Sequence, residues 1–65
     1  MKPRKIRALM VERDIKNVDI ARALNIRPAS VHGVVCGKWA SRRVAEEVAR
    51  QLNMPLEKVF PKYAA

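Results

Sequence analysis

Between Arg27 and Gly33 the chain places a guanidinium, a hydroxyl, an imidazole and very small side chains close together: Arg27, Pro28, Ala29, Ser30, His32 and Gly33. Such groups can meet the edges of nucleic-acid bases. A guanidinium donates two parallel hydrogen bonds to guanine O6 and N7, a hydroxyl serves either kind of pair, and a methyl group touches thymine. One good bidentate contact is worth about 1–3 kcal/mol of discrimination. Arg27 also has a plainer use, as a phosphate contact or a solvated side chain, and His32 is equally readable as a surface residue. Gly33 costs about 1 kcal/mol relative to Ala inside a helix, and close approach of the backbone to DNA would be one reason to keep it.

Around this stretch lie Lys2, Arg4, Lys5, Asn17, Lys38, Ser41, Arg42 and Arg43. These types hold phosphate oxygens, which position a protein on a duplex without conveying sequence. Ser41, Arg42 and Arg43 stand where a helix should open, and free N–H groups with the helix dipole favour an anion there. The charge balance agrees. Fourteen Lys and Arg face six Asp and Glu, for a net charge of +8. All of the excess falls in residues 1–43, whereas residues 44–65 are balanced. A field of that sign favours a polyanion, because cations that neutralise phosphates release condensed counterions.

Other chemistries find little support. There is no Ser/His/Asp set, no Gly-rich phosphate loop and no paired-carboxylate arrangement, so no enzymatic activity and no cofactor is expected. Cys36 is the single cysteine, which precludes an intrachain disulfide. His32 and Cys36 are four apart on one helix face, but a structural zinc needs four ligands and no other Cys or His is present. The longest apolar run falls far short of the roughly 20 residues of a membrane span, and no signal-peptide core follows Met1–Lys5. A cytoplasmic setting is expected.

These groups need positioning, and the apolar pattern predicts an all-α chain of one domain, residues 1–65. A first helix from Pro3 to Arg13 presents Ile6, Leu9 and Met10 on one face, and Asp14 takes the turn. Ile15 is buried in that turn. Asn17 caps a second helix, Val18 to Leu24, with Ile20, Ala21 and Leu24 inward, and Asn25 follows as its left-handed C′ residue. Ile26 is a buried turn residue. Pro28 starts a third helix, to about Cys36, with Val31, Val34 and Val35 as its apolar stripe, and Gly37 ends it. Ser41 caps a fourth helix carrying Val44, Ala45, Val48, Ala49 and Leu52, closed by Asn53. Pro55 opens a last short turn to about Val59, stopped by Pro61, with Leu56, Val59 and Phe60 available to the core. Arg27, Ala29, Ser30, His32, Gly33 and Cys36 then fall on the outer side of the third helix. Trp39 lies between the third and fourth helices, where it either packs against the fourth or stacks on a sugar–phosphate backbone. Packing is the favoured expectation, since aromatics dominate small cores.

Asn17, Ala21, Asn25, Ile26, Val31, Val34 and Gly37, within NVDIARALNIRPASVHGVVCGK, resemble the lambda-repressor/Cro (XRE-type) helix-turn-helix family. That family usually has Gln at the place of Asn17 and Gly at the place of Asn25. The shorter Asn17 weakens a side chain that in the family orients the recognition helix and touches a phosphate. The ending Leu52-Asn53-Met54-Pro55-Leu56-Glu57-Lys58-Val59-Phe60-Pro61-Lys62-Tyr63 resembles that of phage Ner-like regulators. The resemblance implies a compact five-helix fold and a bacterial or phage-encoded, nucleoid-associated transcriptional regulator, a repressor. It further implies a two-fold dimer on a palindromic double-stranded DNA operator, read by the N-terminal residues of the third helix.

Two other classes compete with that reading. The same fold can serve as an antitoxin or accessory module that holds a protein, with Leu56, Val59, Phe60 and Tyr63 as its apolar surface, as a homodimer seam, or simply as core. The basic first helix could instead lie on a membrane surface.

Overall fold

The computed structural model describes residues 1–63 and contains α1 (Pro3–Glu12), α2 (Asn17–Leu24), α3 (Pro28–Val35), α4 (Arg42–Gln51), α5 (Leu56–Val59) and a 3-10 turn, Pro61–Tyr63. No strand occurs among the described residues. Pro3 and Pro28 occupy first-turn positions of α1 and α3, where a missing N–H costs nothing and the fixed φ suits the helix. Ser41 caps α4, its hydroxyl oxygen accepting the Val44 N–H at 3.3 Å.

One start differs from the sequence expectation. Asn17 does not cap α2 but is its first helical residue, and Lys16 takes the extended capping position. Asp19 makes this work by reaching back: its carboxylate accepts the Lys16 N–H at 2.9 Å. A carboxylate in the first turn also suits the positive end of the helix.

The first four helices end on one plan. Asp14, Asn25 and Asn53 have φ of 56°, 57° and 56°, and Gly37 has 82°. After each helix the left-handed residue donates its N–H to a carbonyl three back, and the next residue donates five back: Ile15 to Met10 at 2.7 Å, Ile26 to Ala21 at 2.9 Å, Lys38 to Gly33 at 2.9 Å and Met54 to Ala49 at 3.0 Å. These double closures satisfy carbonyls that a helix end would otherwise leave bare. In three of the four, the residue after the left-handed one is apolar, and Ile15, Ile26 and Met54 pack back onto the core.

α4 is the centre of the assembly and touches α2, α3 and α5, while α2 and α3 pack on each other and α1 rests on α3. Ile6 and Met10 from α1, Ile20 and Ala21 from α2, Val31, Val34 and Val35 from α3, and Val44, Ala45, Val48, Ala49 and Leu52 from α4 are buried together. Ala21 is 2 % exposed, so the α2–α3 crossing has no room for a longer side chain there. Val59 and Phe60 close the same core at 0 % and 6 % exposure. They are therefore not surface for a homodimer seam or a protein partner, and of the four residues considered for that purpose only Leu56 and Tyr63 keep partial exposure.

Arginines bind helix ends together across long sequence separations. The Arg13 guanidinium donates to the carbonyl of Leu52 at the end of α4, and Arg43 donates to that of Leu24 at the end of α2 at 3.0 Å. Cations at these carbonyls oppose the negative ends of the two helices. On α4, Glu47 accepts from Arg50 and from Gln51, the latter at 2.7 Å.

Candidate nucleic-acid interface

The outer flank of α3 is built by exclusion. Val31, Val34 and Val35 fill the core side, which turns Pro28, Ala29 and His32 toward water together with Arg27 in the residue before the helix. All four are exposed, and Ser30 is half-buried at the edge. No acidic side chain occurs between Asp19 and Glu46, so nothing on this stretch repels an anion.

Gly33 corrects the sequence expectation. It points away from the core as the periodicity demands, yet it is buried, because the indole of Trp39 lies on it. A Cβ at Gly33 would stand 2.3 Å from Trp39 Cε3 and 2.7 Å from Cδ2, closer than atoms of any real side chain can come. Gly33 therefore offers no surface to a base. Trp39 does pack, with its indole laid on the outer flank of α3 at Gly33, and it remains 55 % exposed.

A groove of about 300 Å³ lies beside the indole, lined by Ile26, Ser30, Val34, Trp39, Ala40, Ser41, Arg43 and Val44. It brings together one of the base-edge candidates, Ser30, and two of the phosphate candidates, Ser41 and Arg43. The α4 entrance is less free than the sequence suggests. The Ser41 N–H is taken by the Tyr63 hydroxyl oxygen at 2.7 Å, and its own hydroxyl oxygen serves Val44. Arg42 donates to the Tyr63 carbonyl at 3.2 Å and pairs with Glu46 at 3.4 Å. Both partners of that pair are more than half exposed, so it holds the guanidinium only loosely.

The other cations lie elsewhere. Lys2, Arg4 and Lys5 share a surface of α1 with Arg7, which sequence reasoning did not single out. Asn17, half-buried, sits in another groove with Arg7, Val11 and Lys16. Lys38 is exposed in the α3–α4 loop. The phosphate candidates thus fall into an α1 group, a position at the start of α2 and a group around the α4 entrance.

Tyr63, expected as partner surface, homodimer seam or core, packs partly buried against the core and has a further role that its sequence position does not show. It fastens the C-terminal turn to the α4 entrance with its hydroxyl and its carbonyl, while its ring meets Phe60 edge-on at 6.1 Å. No local signal marks a bond between residues 41 and 63.

His32 and Cys36 do meet on the exposed flank, with Sγ 3.4 Å from Nε2. No group of three or more His, Cys, Asp or Glu able to hold a metal ion exists among the described residues. No helix there is long and apolar enough to cross a membrane. Compared with protein-family models, curated proteins and solved structures, the chain matches none.

Proposed function

We propose that the chain binds double-stranded DNA sequence-specifically through a helix-turn-helix made of α2, the Asn25 turn and α3, and that it regulates transcription, as a repressor. The observation that carries this reading is the flank of α3: Arg27, Pro28, Ala29 and His32 face water while every valine of the helix is buried. An α-helix with its side chains is about 10–12 Å across, and the major groove, about 12 Å wide, admits one. Short side chains at Ala29 and Ser30 let such a helix sit deep, and the flanking Arg27 reaches a guanine edge.

Phosphates on either side of the groove are held by Lys38, Arg42 and Arg43 near the α4 entrance and by Lys2, Arg4 and Lys5 at the start of α1. An excess of positive charge confined to residues 1–43 supports this division of labour. A two-fold dimer on a palindrome, with half-sites about 34–36 Å apart, would use surface other than Val59 and Phe60.

Arg27→Ala and Arg42→Ala provide the test, on operators selected from random duplex DNA. Arg27→Ala relaxes preference at one operator position by roughly tenfold or more, whereas Arg42→Ala weakens all sequences alike and lowers the salt slope by about one. Equal effects from the two substitutions would contradict the assignment.

A further inference from the structure

Trp39 is fixed in place without being buried, an unusual condition for the only tryptophan of so small a chain. Three features hold it. Gly37, at φ 82°, turns the chain back over α3. The Lys38 and Trp39 N–H groups then both donate to the Gly33 carbonyl, at 2.9 and 3.1 Å. The absent side chain of Gly33 leaves the space that the indole occupies, since a Cβ would meet three of its ring carbons within 2.9 Å. Backbone and side-chain vacancy at one residue thus serve one aromatic ring.

More than half of the Trp39 surface still faces solvent. A ring needed only for packing gains most when covered completely. The uncovered part of Trp39 instead walls the groove that holds Ser30, Ser41 and Arg43, over an apolar floor that includes Ile26 and Val44. A flat apolar wall beside a guanidinium and two hydroxyls complements a sugar ring joined to a phosphate.

We propose that this groove seats one deoxyribose–phosphate unit of duplex DNA, with the sugar against Trp39 and the phosphate toward Arg43 and Ser30. The proposal rests on the DNA-binding reading and adds to it, at the sugar on Trp39, a contact that is apolar and blind to sequence, beside the charged contact of Arg43. Gly33 then serves the interface by positioning Trp39, not by admitting a base to the helix backbone.

Because Trp39 is the sole indole, its emission reports on this groove alone. The experiment titrates the full chain with a labelled duplex of mixed sequence, following indole emission and, separately, anisotropy of the label. Emission is expected to change saturably with the same midpoint as anisotropy. Trp39→Ala should lower affinity for every sequence about tenfold with the salt slope unchanged, since no charge is lost, and Trp39→Phe should recover part of it. Circular dichroism establishes that each variant is folded, and the wild-type emission decides the matter should one not be. Binding seen by anisotropy with flat emission, or a folded Trp39→Ala that binds like the wild type, overturns the seat and leaves the DNA reading standing. Emission that follows protein concentration without DNA puts a second copy on the groove and also overturns it. Absence of wild-type binding by anisotropy removes the DNA reading itself, and the seat with it.

Discussion

The ends of α2 and α3 share a backbone design and put it to opposite uses. Both close with a left-handed residue and the same pair of hydrogen bonds, through Asn25 and through Gly37. After Asn25 the chain sends Ile26 into the core. After Gly37 it leaves Lys38 in water and lays Trp39 over Gly33, half exposed. One turn contributes to folding by covering apolar surface. Its counterpart holds an aromatic ring at the surface, where a partner can use it. Identical local geometry therefore says little about purpose, which depends on the type and direction of the residues that follow.

The comparison is broken most forcefully by truncating the two side chains. Ile26→Ala should cost about 2 kcal/mol in denaturant unfolding, near the lower end for aliphatic truncation because Ile26 is only partly buried. Trp39→Ala should cost less, about 1 kcal/mol, because the residue is already 55 % exposed. A larger loss at Trp39 than at Ile26 would make the indole a folding residue and erase the distinction.

A smaller effect sharpens the shared part. Gly37→Ala should lose about 1 kcal/mol although the space around it is open, since the penalty lies in its φ of 82°. Asn25→Gly should be neutral or stabilising by up to about 1 kcal/mol, as glycine adopts that conformation more readily. Thermal melts of the two variants, moving in opposite directions, check the point.

The smallest expected effect is a control remote from both turns. The hydrogen bond from Arg50 holds the Glu47 carboxyl below the usual carboxylate range, with Gln51 aiding and partial burial opposing. A lowered folded-state pKa gives stabilisation that is present above the ordinary carboxylate value and lost as pH falls through the lowered one. Glu47→Gln should therefore flatten part of the acid limb of the stability curve, and do so equally in the Ile26→Ala and Trp39→Ala backgrounds. Unequal flattening would mean that α4 transmits strain between the two turns.

Much of the fold was legible because certain backbone conformations admit few residues. Asp14, Asn25, Gly37 and Asn53 each ended a helix as expected, for only Gly, Asn and Asp enter the left-handed region cheaply. Ser41 was readable as a cap for a similar reason, and the apolar spacing marked Ile20, Val31, Val34 and Val48 as core. The start of α2 was misplaced by one residue because Asn17 attracts attention as a cap, while Asp19, two positions on, does the capping for Lys16.

What escaped were contacts between distant parts of the chain. Periodicity turned Gly33 outward correctly but could not show a loop folding back over it. A glycine in a valine-rich helix, followed six residues later by the sole tryptophan, is the only hint. The bonds from Arg13 to Leu52, from Arg43 to Leu24 and from Ser41 to Tyr63 depend on how helices pack, and no spacing rule anticipates them.

The most direct measurement is the affinity of the whole chain for mixed-sequence duplex DNA at two salt concentrations. With the six cations named above each neutralising one phosphate, binding should weaken by roughly a thousandfold between about 50 and 200 mM salt. No binding at the lower concentration, or an affinity indifferent to salt, would contradict an exposed α3 flank that works on DNA with the cations of α1 and the α4 entrance around it.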